Sequence, residues 1–342
     1  MIIVMQLGAT LQQIDAVAGL IREQGFEPLV LPGEDRVAIG IPASLNSDQR
    51  SNLEGIIGSM EGVSVVTQTS RPYKLASREF KRESTIIEVK GVKIGGPEFI
   101  VMGGPCSVES YEQFLLSGQL VKSAGAQILR GGAYKPRTSP YAFQGLQEPG
   151  LKIMQQVGDE LGMVTISEVM SPDKVELVAS HVDILQIGAR SMQNFPLLIE
   201  AGRSMKPIFL KRGPSATVDE FLLAAEYVLS QGNPNVMLCE RGIVPLDRTY
   251  ARNTLDLAVV PVLKEVSHLP VIVDPSHGTG VARYVGPMAK AALVTGADGI
   301  MVEMHPDPKH ALSDGSQALT PEQFSNLLDE LRRLDAAIQA SR

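Results

Sequence analysis

Short apolar runs alternate with longer amphipathic stretches through most of this chain, and the rhythm changes near residue 85. Before that point, Ile2-Ile-Val-Met-Gln6 reads as a strand, and 10–24 reads as a helix with apolar residues every three to four positions. Two further strands follow over 27–31 and 36–41, joined by a turn at Pro32-Gly-Glu-Asp35. A helix over 47–60 and a strand over 63–67 complete a βαββαβ order, that of a ferredoxin-like module. The polar residues 68–84 predict a linker, and Ile86-Ile-Glu-Val-Lys-Gly-Val-Lys-Ile94 alternates about Lys90-Gly91 as a short hairpin. The expected division is 1–70 for the small module, 71–97 for linker and hairpin, and 98–342 for a large domain.

In the large domain the strand candidates are 98–103, 127–131, 163–167, 183–187, 207–211, 235–239, 270–274 and 298–303. Helical patterns separate them at about 110–124, 149–161, 172–180, 193–202, 217–231, 254–264, 286–296 and 320–338. Eight βα units in this length are the quota of a (β/α)8 TIM barrel, which takes roughly 250 residues. The fold class expected is therefore α/β, a barrel preceded by the ferredoxin-like module. A doubly wound open sheet is the alternative, although no Gly-x-Gly-x-x-Gly marks a dinucleotide fold.

A barrel places its active site at the carboxyl ends of its strands. Those ends carry Cys106, Arg130, Glu168, Gln186 with Arg190, Lys211 with Arg212, Glu240 with Arg241, Asp274 with His277, and Glu303. Composition narrows the partners. The net charge of −7 argues against a general grip on nucleic acid, so anion binding must be local. Two cysteines are too few for a disulfide scaffold and suit a reducing cytosol. The absence of a charged leader with a cleavage site, and of an apolar run of about 20 residues, predicts a cytoplasmic protein without membrane contact.

Two constellations carry the chemistry. Arg130, Lys135, Arg137, Arg190, Lys211 and Arg241 would ring the barrel mouth; such a crowd of cations needs ligands with several negative charges. Three of these cations stand on Leu129-Arg-Gly-Gly-Ala-Tyr-Lys-Pro-Arg-Thr-Ser139, a glycine- and proline-punctuated loop that also carries two hydroxyls, Thr138 and Ser139. The second constellation suits a divalent transition metal: Cys106, His277, Glu303 and an acid in the loop after residue 304, with His305, Asp307 and His310 as rivals to Asp314. Cys239, His181 and His268 read as structural.

Together Gly104-Pro-Cys-Ser-Val-Glu109, Leu129-Arg-Gly-Gly-Ala-Tyr-Lys-Pro-Arg-Thr-Ser139, Gln186-Ile-Gly-Ala-Arg190, Leu210-Lys-Arg-Gly213, Cys239-Glu-Arg-Gly242, Val273-Asp-Pro-Ser-His277 and Leu312-Ser-Asp-Gly315 resemble the 3-deoxy-D-arabino-heptulosonate 7-phosphate (DAHP) synthases. The small module resembles the regulatory domain of their type I beta branch. This resemblance implies condensation of phosphoenolpyruvate with erythrose 4-phosphate at the entry to aromatic amino-acid biosynthesis. It implies Cys106, His277, Glu303 and Asp314 as ligands of a divalent metal of the Mn, Fe, Co or Zn class. It further implies Arg130, Lys135, Arg190, Lys211 and Arg241 on phosphoenolpyruvate, Arg137 and Thr138 on the sugar phosphate, a homotetramer, and an aromatic amino-acid effector at the small module. Lys135, placed between the two ligands, is the expected proton donor, and Glu168 is expected to orient or deprotonate the attacking water.

Two alternatives compete with this reading. An octulosonate 8-phosphate synthase using arabinose 5-phosphate shares the barrel and the phosphoenolpyruvate site, but has Asn where Pro136 sits and lacks the small module. A non-catalytic metabolite sensor would need a degenerate site, whereas every candidate group is present.

Overall fold

The computed structural model describes the chain except for residues 33–35, 42, 44, 68–70, 138 and 342, so the expected turn after Pro32 and Thr138 lie outside the described residues. The first unit is built of β1 (Ile2–Met5), α1 (Leu11–Glu23), β2 (Leu29–Pro32), β3 (Val37–Gly40), α2 (Ser47–Gly58) and β4 (Val63–Thr67). Its antiparallel sheet runs β2-β3-β1-β4. Strand alternation decides what each face touches. Ile3 and Met5 point into a core with Ile14, Val17 and Ile21 of α1 and Leu53 and Ile57 of α2. Ile2 points the other way and joins Tyr73, Leu75 and Phe80 in the core continuous with the barrel. Both helices begin with a capping box, Thr10 with Gln13 and Asn46 with Gln49, which satisfies backbone N–H groups that the first turn leaves unpaired.

The polar segment expected as a linker is firmly seated. Tyr73, Leu75 and Ala76 are fully buried. Glu226 accepts hydrogen bonds from the backbone N–H of Lys74, Leu75 and Ala76 at 3.0, 2.8 and 3.0 Å. His268 Nε2 lies 2.7 Å from the Leu75 carbonyl, and its Nδ1 lies 2.7 Å from Thr85 Oγ1.

A hairpin of β5 (Ile87–Val89) and β6 (Val92–Ile94) follows, turning at Lys90 and Gly91 with φ of 47° and 84°. Two successive positive φ values are the signature of the tight hairpin turn that matches strand twist. Ile87 and Ile94 pack against the interior-facing residues of the barrel strands, among them Ile100, Met102, Phe209, Met237 and Met301, and so plug the base.

The barrel strands are β7 (Ile100–Gly104), β8 (Ile128–Arg130), β9 (Val164–Val169), β10 (Ile184–Ile187), β11 (Ile208–Lys211), β12 (Val236–Glu240), β13 (Val271–Val273) and β14 (Gly299–Glu303). They are parallel and close in sequence order, β14 pairing with β7. Closure replaces the open-sheet alternative. Outside them pack α3 (Tyr111–Ala124), α4 (Glu148–Leu161), α5 (Val175–Ala179), α6 (Phe195–Arg203), α7 (Val218–Leu229), α8 (Val259–Val266), a five-residue α9 (Pro275–Thr279), α10 (Ala282–Val294) and α11 (Pro321–Ala340). Three helices differ from expectation. The 172–180 segment begins as a 3-10 turn, α8 starts only at Val259, and α9 was not foreseen. Among the described residues no helix is long and apolar enough to cross a membrane.

Candidate active site

The carboxyl ends of the strands open into a cleft of about 110 Å3 whose lining, among the described residues, includes Arg130, Lys135, Arg137, Arg190, Lys211, Arg241 and Arg252, together with Glu168, Gln186, His277 and Asp314. Seven cations against two carboxylates make this cleft strongly positive on a chain whose net charge is −7. The deepest cations are almost wholly buried, Arg130 at 4% and Lys211 at 3% exposure, whereas Arg190 stands at the exposed rim. Arg130 donates to Glu303 Oε1 and to the Pro105 carbonyl, both at 2.8 Å, and its buried Nε has no partner among the described residues. A buried donor without an acceptor costs about 1–3 kcal/mol, which an anionic ligand in the cleft would recover.

Backbone geometry sets the cluster beside these cations. Gly104, at φ 144°, turns the chain out of β7 where a Cβ would run into the Arg130 carbonyl, and Cys106 follows two residues later. The donor atoms of Cys106, Glu303 and Asp314 all lie within 4.8 Å of one another. His277 is outside that mutual group, but its Nε2 is 3.4 Å from Glu303 Oε1. Its Nδ1 lies 2.7 Å from Asp274 Oδ2, so the ring proton sits on Nδ1 and the Nε2 lone pair faces the cluster. Lys135 Nζ is 2.9 Å from both the Cys106 carbonyl and Sγ. Ser313 bonds Cys106 Sγ at 3.0 Å and accepts from Arg137. A thiol, an imidazole and two carboxylates are a donor set that fits a divalent transition ion.

Charge states follow from burial and neighbours. Burial pushes the Cys106 thiol up to about 11, with Glu303 adding to the effect and Lys135 and Arg130 opposing it. Burial lowers His277 in spite of Asp274, keeping the ring neutral and fit for ligation. Burial also works against ionisation of Asp274 and Glu303, but Lys211 and the hydrogen bonds from His277 outweigh it at Asp274, and Arg130 and Lys135 outweigh it at Glu303, holding each carboxyl below its usual range.

Glu168 lines the cleft, held by a 3.1 Å hydrogen bond from Gln186 Nε2 and lying against Gly188. Of the rivals to Asp314, Asp307 and His310 form an exposed pair at 2.6 Å, and His305 is buried near Glu109; none joins the cluster. Arg212 and Glu240 are paired with each other and with Asp256, and do not line the cleft. Sequence reasoning missed Arg252 and Gln317. Arg252 Nη1 donates to Gln317 Oε1 at 3.3 Å, and Gln317 Nε2 donates to Glu303 Oε2 at 2.6 Å. Both sit in loops without periodicity, and the one available signal was the run of cations after Arg241.

Fold and site define a (β/α)8 barrel with a cationic cleft beside a group of side chains that could hold a metal ion. The DAHP synthetase I family profile matches residues 79–340, and the DAHP synthase ferredoxin-like domain profile matches 1–71. The phospho-2-dehydro-3-deoxyheptonate aldolase of Thermotoga maritima is 44% identical over 338 residues, covering 99% of this chain and 98% of that protein. A crystal structure of that organism's enzyme superposes with a TM-score of 0.78 at 43% identity, over 98% of this chain and 97% of the other. A 2-dehydro-3-deoxyphosphooctonate aldolase of Syntrophobacter fumaroxidans is 33% identical over 262 residues, 71% of this chain and 90% of that protein. The chain belongs to the DAHP synthetase I family and carries that family's ferredoxin-like domain.

Proposed function

We propose that this enzyme joins C3 of phosphoenolpyruvate to the aldehyde carbon of erythrose 4-phosphate and adds water at C2, giving DAHP and inorganic phosphate. The observation that carries the reading is the cationic cleft with Cys106, Glu303 and Asp314 gathered at one side. Arg130, Lys135, Arg190, Lys211 and Arg241 offer the charge that a phosphate and a carboxylate on one small molecule require. Arg137 and Thr138 would take the phosphate and hydroxyls of the second substrate. Cys106, His277, Glu303 and Asp314 would hold a divalent ion, which supplies a Lewis acid beside the aldehyde oxygen.

The residues themselves position and move protons. Holding two anions in line is worth up to roughly 7–11 kcal/mol of barrier. Lys135 is set to give a proton to the oxygen that becomes the new hydroxyl. As C3 forms its bond, C2 becomes electron-poor; Glu168, steadied by Gln186, orients a water and accepts its proton as the water adds there. The resulting hemiketal phosphate breaks its C–O bond to phosphate, leaving the ketone. Purified protein loaded with Mn2+, incubated with phosphoenolpyruvate and each aldose in turn, tests the reading: phosphate should appear with erythrose 4-phosphate, and release with arabinose 5-phosphate alone would reject it. We also place an aromatic amino-acid effector at the small module.

A further inference from the structure

Asp274 is fully buried where β13 ends, 63 residues from Lys211 in sequence, and one of its oxygens serves two masters. Asp274 Oδ2 accepts Lys211 Nζ at 2.5 Å and His277 Nδ1 at 2.7 Å, while Oδ1 accepts the His277 backbone N–H at 2.9 Å and caps α9. Lys211 faces the cleft proposed for phosphoenolpyruvate, and His277 faces the cluster proposed for the metal. We infer that Asp274 is a positioning residue that couples the two sites, so that occupancy of one raises the affinity of the other.

The physical argument is that a shared acceptor makes its two donors interdependent. When an anion draws the Lys211 ammonium toward the cleft, Oδ2 has more of its charge left for the His277 N–H. That sharpens the ring's orientation and the basicity of Nε2, as a carboxylate behind a ligating histidine does in general. The coupling must be reciprocal, since both orders of binding end in the same complex. Arg130 with Glu303 and Lys135 with Cys106 are further cation–ligand contacts between the two sites, so loss of the Asp274 carboxylate should reduce the coupling strongly without being the sole route.

This rests on the proposed function, and the experiment separates the two. Mn2+ affinity is measured by chelator competition with and without phosphoenolpyruvate, and phosphoenolpyruvate affinity by calorimetry with and without Mn2+. In the native enzyme each ligand should tighten the other by about tenfold or more, within the usual 5–150-fold range. In Asp274→Asn the factor should fall to within about threefold of unity. Asp256→Asn, which alters a carboxylate paired with Arg212 away from the cleft, should retain the native factor. If Asp274→Asn does not fold, Asp274→Glu displaces the same oxygen with the charge kept and should show the same fall. A native factor of one, or an undiminished factor in a folded Asp274 variant, overturns the inference. Absence of phosphoenolpyruvate binding and of phosphate release in the native enzyme would instead overturn the proposed function.

Discussion

Gly188 illustrates how little room the cleft leaves. Its φ is not in the left-handed region, so alanine is acceptable to the backbone, but the added Cβ would collide with Glu168 Oε1. Gly188→Ala should therefore keep its melting temperature within a few degrees while kcat falls, by as much as about 100-fold for a displacement near 1 Å; steady-state assays with thermal melts check both halves. His268 offers a test by pH. Burial lowers it from 6.5 to about 4, so it is neutral in the folded protein. The unfolded chain takes up that proton first as pH falls, so this site's stabilising contribution is whole above 6.5 and is lost progressively between 6.5 and about 4. Urea melts should lose roughly 2 kcal/mol from this site between pH 6.5 and 5, and His268→Gln should flatten that slope. At this scale the sequence was legible wherever an apolar run stops abruptly at a charge, as at Leu129-Arg130 or Leu210-Lys211. It was silent on the shared oxygen of Asp274, because no pattern links residues so far apart.

The element most in need of explanation is the segment between the small module and the barrel. Its polar composition reads as a tether, yet Tyr73, Leu75 and Phe80 are spaced to bury and Glu226 on α7 gathers the amides between them. Three side chains in a polar stretch are too few to register as periodicity, so the burial was invisible until α7 was in place. Glu226→Ala should cost about 2–4 kcal/mol, from three charge-assisted hydrogen bonds offset by water, and should speed tryptic cleavage after Lys74 or Arg78. The short helix α9 was hidden for a similar reason: five residues between β13 and α10 give no hydrophobic period, though the Asp274 cap and Pro275 at its start are typical initiators.

For the whole molecule, the order of units was readable because strand and helix periods alternate cleanly along the chain, and closure followed from their number. Removing residues 1–70 should leave phosphate release intact and abolish inhibition by tyrosine or phenylalanine; inhibition that survives would place the effector elsewhere. The plug formed by Ile87 and Ile94 has a kinetic corollary. With the base stopped, all traffic uses one doorway, and the guest proposed for Arg130 and Lys211 would sit behind the one proposed for Arg137. The inner reactant must be admitted first and let go last, so initial-rate and dead-end inhibition patterns should reveal a compulsory sequence, with a saturating aldose slowing the escape of the enol phosphate.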